Sequence, residues 1–164
     1  MPKKNSRRQQ SLVGDEAYNL ERLTAYRYAI LYKLMSRYSA SFLSDRFNLS
    51  MAEWRILGQL AYNGSSTVAE LAQRTLTDKA QISRSVQALA DRGLVLREAH
   101  ESDARRVVLT LSKRGVDHVK KVYPHRDGFN DELMAQLSQQ ERKSLNSAID
   151  KLRRYLEHEL GDEQ

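Results

Sequence analysis

The chain has 164 residues, 40% of them hydrophobic, a net charge of +6 and no cysteine. That length suits one medium domain or a compact domain with helical extensions, and the lack of cysteine excludes disulfides, thiolate metal sites and thiol redox switches. No apolar run approaches the ~20 residues of a membrane span and the basic N-terminus lacks the apolar core of a secretory signal, so a cytoplasmic protein without membrane partners is expected, and its basic balance favours a polyanion such as nucleic acid.

In chain order, residues 1–14 carry Lys3, Lys4, Arg7 and Arg8 and no acid, and read as a disordered basic tail. From Asp15 to Leu57 there is neither Gly nor Pro, a stretch permissive for long helix. Leu20, Leu23, Ile30, Leu31, Leu34, Tyr38 and Phe42 recur at helical spacing and predict a helix from about Tyr18 to Phe47. Three capping boxes follow, each just before a periodic segment: Ser50 with Glu53, Thr67 with Glu70, and Ser138 with Glu141. The first opens a helix ended by Asn63-Gly64, with Leu49 and Trp54 placed for a hydrophobic staple. The second opens a short helix to about Thr75.

A fourth helix starts at Thr77-Asp78, either of which can cap it, and ends at Gly93. Leu94–Arg97 and Arg106–Leu111 read as two short strands of a hairpin, with Glu98–Arg105 as its polar tip. Ser112 caps a fifth helix expected to stop near Tyr123, because Pro124 interrupts it and Gly128 marks a further break. The last helix runs from Ser138 to about Leu160. The expectation is five or six helices and one two-stranded hairpin: a mainly α protein with a small β-hairpin wing. Its parts are a helical region (15–48 and 116–164) around a winged helix-turn-helix (49–115).

The order short helix, tight turn, second helix, hairpin carries the functional reading. In the fourth helix Ile82, Val86 and Leu89 share one face, suited to packing on Leu71 and Val68. Other faces carry Ser83, Arg84 and Gln87, with Lys79 and Gln81 in the first turn and no acid from Lys79 through Ala90. Arg and Lys donate to guanine, Gln pairs with adenine, and Ser reaches base or phosphate, so these residues suit double-stranded DNA; the bland alternative is a solvated helix face. Residues 64–115 hold nine basic and six acidic side chains, whereas 116–164 are net −2. Arg105 and Arg106 at the hairpin suit a narrow minor groove, and Asp103 could orient Arg105.

Leu89-Ala90-Asp91-Arg92-Gly93-Leu94-Val95, followed by Asp103-Ala104-Arg105-Arg106-Val107-Val108-Leu109-Thr110-Leu111-Ser112-Lys113-Arg114-Gly115, resembles the MarR family of bacterial regulators, as does Ile82-Ser83-Arg84 in the recognition helix. Ser112 stands where Thr is usual, a departure that keeps the cap. The resemblance covers about Tyr18 to Leu160. It implies an obligate homodimer whose terminal helices interlock, so that winged helix-turn-helix modules flanked by N- and C-terminal dimerisation helices read a near-palindromic operator with recognition helices about 34 Å apart. Leu145, Ile149, Leu152 and Leu156 form a stripe that suits this interface, although such a stripe also suits ordinary core.

The resemblance further implies a small effector, an aromatic carboxylate, a phenol or an acyl-CoA thioester, that releases DNA from a repressor. Arg22, Tyr26, Arg27, Tyr32, Tyr38 and Trp54 offer ring stacking and a charge clamp for a flat anion; the same residues also suit packing with wet tips. Two other readings compete: a ligand-independent architectural or constitutive DNA-binding protein, and a helical adaptor for protein partners. An enzyme is not expected, nor a metal or other cofactor. His100, His118, His125 and His158 are scattered, and neither a glycine-rich phosphate loop nor Gly-x-Ser-x-Gly occurs.

Overall fold

The computed structural model describes residues 19–100 and 103–161, with the backbone alone at 100 and 103–106. The basic tail lies outside the described residues. Among them are a 3-10 turn, six α-helices and a three-stranded antiparallel sheet. No described helix is long and apolar enough to cross a membrane.

The chain divides into two compact units, residues 1–54 and 55–164. The first described unit opens on a 3-10 turn (Leu20–Arg22) and not on helix. Asn19 accepts from the Glu21 amide at 3.0 Å, and Leu23 is extended, so α1 begins only at Thr24 and runs to Phe47. Asn19 caps the 3-10 turn, and the extended backbone at Leu23 (φ −84°, ψ 116°) separates that turn from the helix, so the helix expected from about Tyr18 starts at Thr24. Asn48 ends α1 in the left-handed conformation. Next, Ser50 and Glu53 exchange both capping-box bonds, at 2.7 and 3.2 Å, and α2 (Met51–Asn63) follows. Leu43, Leu49 and Trp54 are buried in this unit.

In the second unit the expected hairpin proves to be part of a larger sheet. Ser65–Ser66 forms β1, which pairs with β3 (Asp103–Leu111), itself paired with β2 (Val95–His100), in the order β1-β3-β2. Two serines carry no apolar alternation, so nothing in the sequence marks β1; Arg74 holds it by donating to Ser66 Oγ at 2.7 Å. The wing strands are also longer than expected. Residues assigned to the tip are paired backbone, with Glu98 opposite Val108 and Ala99 opposite Val107, and an irregularity follows at Ala99/His100.

Between β1 and β2 lie α3 (Val68–Thr75), opened by the full Thr67–Glu70 capping box, and α4 (Lys79–Asp91), whose cap is Asp78. Ile56, Leu57, Leu60, Leu71, Ile82, Val86, Leu89, Leu94, Val95 and Leu109 are buried between helices and sheet. Val68, expected in that core, is half-buried.

The fifth helix corrects another expectation. α5 (Lys113–Met134) passes through both Pro124 and Gly128. Proline in a helix interior removes one bond to the carbonyl four residues back. That carbonyl belongs to Lys120, an exposed residue, where water can serve it. Val119 and Val122, in the turns before the proline, are buried on the opposite face. The final helix, α6 (Gln139–Glu159), opens with the Ser138–Glu141 capping box and has no buried residue.

Candidate nucleic-acid interface

The presentation of α4 begins at its ends. Asp78 Oδ1 accepts from the Ala80 and Gln81 amides at 2.9 and 3.1 Å, fixing the first turn. At the other end Arg92 stops the helix and Gly93 adopts φ +66°. The Gly93 amide bonds Ala90 and the Leu94 amide bonds Leu89, the paired bonds of a Schellman turn. Ser112 then ties this turn to α5. Its Oγ donates to the Gly93 carbonyl at 2.7 Å and accepts from the Gly115 amide at 2.9 Å, while its own amide donates to the Leu94 carbonyl at 3.1 Å. The Ser112 hydroxyl thus makes two of these bonds and its amide the third.

Between these anchors α4 buries Ile82, Val86 and Leu89 and exposes Lys79, Gln81, Ser83, Arg84 and Gln87. Lys79, Ser83 and Gln87 stand four residues apart in one row, with Arg84 beside it; Gln81 lies on the flank. The helix that precedes this face, α3, joins it through Leu76-Thr77-Asp78. Leu76 takes φ +50° and is 92% exposed, an unusual state for a large apolar side chain.

The row contains a connection that spacing does not reveal. Arg97 of β2 donates from Nη1 to Gln87 Oε1 at 2.6 Å, and Gln87 Nε2 donates to Asp91 Oδ1 at 2.7 Å. Arg97 is exposed and was not among the expected contacts, since it sits in a strand ten residues away. Asp103, Arg105 and Arg106 belong to β3, and Asp103 faces His100 across the ladder; their side chains lie outside the described structure.

The expected ligand residues are not gathered on one face. Tyr26, Tyr32 and Tyr38 are six residues apart on α1, so successive rings turn by about 120° around the helix. Arg22 lies in the 3-10 turn, Arg27 is exposed in the first turn of α1, and Trp54 is buried. Leu145 is half-buried, whereas Ile149, Leu152 and Leu156 are about half exposed on α6.

The comparisons with known proteins agree with this architecture. The MarR family model matches residues 47–106, from the end of α1 into β3. An uncharacterised HTH-type transcriptional regulator of Mycobacterium bovis is 33% identical over 102 residues, covering 62% of this chain and 71% of its own length. A MarR/EmrR family regulator from Acinetobacter has the same fold: TM-score 0.79, 21% identity, 85% of this chain and 99% of that one. The MepR–DNA complex of Staphylococcus aureus also matches, with TM-score 0.74, 20% identity and coverage of 80% and 96%. The chain belongs to the MarR family of helix-turn-helix transcription regulators, which are DNA-binding proteins and not enzymes.

Proposed function

We propose that the protein is a cytoplasmic homodimeric repressor that reads a near-palindromic operator and is released by a small effector. The observation that carries the DNA reading is the exposed face of α4 between Lys79 and Gln87, a stretch without acid, held between the Asp78 cap and the Gly93 turn. Lys79, Gln81, Ser83 and Arg84 are the contacts assigned to the major groove, and Arg105 and Arg106, steadied by Asp103, those assigned to the minor groove. That MepR was captured on DNA with the same fold supports this use of the module.

The dimer reading rests on apolar surface. Leu152 and Leu156 of α6 are 47% and 54% exposed, and Leu145 and Ile149 continue their stripe. Leu31 and Leu34 on α1 are also about half exposed. Isolated surface leucines are ordinary, but a run of them along one helix marks an interface.

The effector class is an aromatic carboxylate, a phenol or an acyl-CoA thioester. Its candidate contacts are Arg22, Tyr26, Arg27, Tyr32 and Tyr38, with Trp54 as an enclosed ring. Because the tyrosines face three directions, one ligand meets only part of this set.

Footprinting of the purified protein on the DNA flanking its own gene tests the main reading. Two protected half-sites one helical turn apart are expected. Salt-sensitive smearing without protection overturns it in favour of nonspecific, architectural binding. A thermal-shift screen with aromatic acids and acyl-CoAs tests the effector: a shift that also weakens the footprint is expected, and no response makes the protein a constitutive binder.

A further inference from the structure

We propose that Arg97 is an additional contact to the DNA backbone, and that Gln87 serves to position it and does not read a base. The inference rests on the assignment of α4 as the recognition helix.

The argument starts from the Gln87 amide. A glutamine that reads adenine must present both its carbonyl oxygen and its NH₂ group to the base edge. Here both ends are engaged inside the protein: Oε1 accepts from Arg97 at 2.6 Å, and Nε2 donates to Asp91 at 2.7 Å. Asp91 also fixes the orientation of the amide, because a carboxylate accepts only from the NH₂ end. That leaves the carbonyl turned toward β2, where Arg97 meets it.

For Arg97 the consequence is immobilisation without neutralisation. Its partner is a neutral amide, and among the described residues no carboxylate pairs with it directly. A guanidinium carries five donors, and this bond uses one. Arg97 follows buried Val95 on the same face of β2, which aims it at α4. The Gln87 bond then holds its charge in the same row as Ser83 and Lys79. A cation restrained beside the reading face, with donors to spare, fits a phosphate oxygen, which guanidinium groups favour. The restraint lowers the ordering cost that a free arginine would meet on binding.

A double-mutant cycle on the full-length protein tests this, with Gln87→Ala, Arg97→Ala and the double variant, and Arg84→Ala as reference. The probe is a duplex recovered by selection from random-sequence DNA, with single base-pair variants of it and a scrambled duplex of equal length. Affinity is read by fluorescence anisotropy across a salt series, and thermal melting checks that each variant folds. Arg97→Ala is expected to weaken every duplex about tenfold and to reduce the slope of log affinity against log salt by about 0.9 per phosphate lost in each subunit. Gln87→Ala should weaken all base-pair variants uniformly, by about fivefold, and the double variant should lose no more than Arg97→Ala alone.

The proposal is overturned if Gln87→Ala relaxes discrimination at one base pair, or if Arg97→Ala leaves affinity and salt slope at wild-type values. If Arg84→Ala weakens binding while Arg97→Ala does not, this inference falls and the recognition-helix reading stands. If none of the variants matters, both fall.

Discussion

Gly115, in the first turn of α5, lies directly against the carbonyl group of Leu94, so that a Cβ at position 115 would overlap the Leu94 oxygen and sit 3.0 Å from its carbon. The obstacle is backbone, and backbone here is pinned: the same Leu94 carbonyl accepts from the Ser112 amide. Gly115→Ala should therefore destabilise the protein by about 3 kcal/mol, the upper end of ordinary overpacking. Urea unfolding measures it, and an unchanged midpoint would show that the two segments separate at little cost.

Leu76 holds a left-handed backbone with nothing gained from burial. A residue with a Cβ loses about 1–2 kcal/mol in that conformation, and glycine avoids it. Leu76→Gly is expected to raise stability by about 0.5–1 kcal/mol, after allowance for the greater freedom of glycine in the unfolded chain. A lower urea midpoint would mean that the leucine makes contacts in the free protein despite its 92% exposure.

The α6 stripe makes a prediction about assembly. Leu152→Glu with Leu156→Glu places two charges where the proposed partner helix would lie, at a site already half exposed in one chain. The isolated fold should tolerate them, and light scattering should show a monomer. Operator affinity should fall because the two half-sites are no longer read together. A dimer that persists in this variant would move the interface elsewhere.

Acid sensitivity follows from the start of α6. The Ser138 hydroxyl donates to Glu141 at 2.7 Å and the Ser138 amide at 2.8 Å. These bonds, the hydroxyl's first, hold the Glu141 carboxyl below the ordinary glutamate range. A lowered folded value means that the stabilisation is present above the ordinary range (about 4.3) and is lost as pH falls through the folded value. The stability difference between wild type and Glu141→Gln should thus shrink on acidification from neutral pH. A difference that stays constant down to pH about 3 would remove the cap from the explanation.

Local chemistry was the legible part of the sequence. Ser50, Thr67, Asp78, Ser112 and Ser138 each start a helix as their side chains demand, and Gly93 ends one. The rest depended on context that residue types in a motif do not announce. β1 exists because β3 offers it a ladder, not because two serines prefer strands. α5 continues past Pro124 because the one bond that the proline removes falls at the carbonyl of Lys120, an exposed residue. The start of α1 lies at Thr24 because the backbone at Leu23 is extended, which the helical spacing of its leucines does not show. On the reading face, residue types and their exposure could be inferred from period alone. The Gln87–Arg97 bond could not, since it joins a helix to a strand and neither residue carries a motif.

The Ser112 junction also dictates how the reading head comes apart. The amides of Gly93, Leu94, Ser112 and Gly115 all donate within one small knot, so the end of α4 cannot fray without unwinding the start of α5. Their deuterium uptake should be slow and should share one opening free energy, as for a single cooperative unit. Opening of α4 therefore starts from the exposed Asp78 end, while the far end of the helix remains assembled as a template on which it can close again.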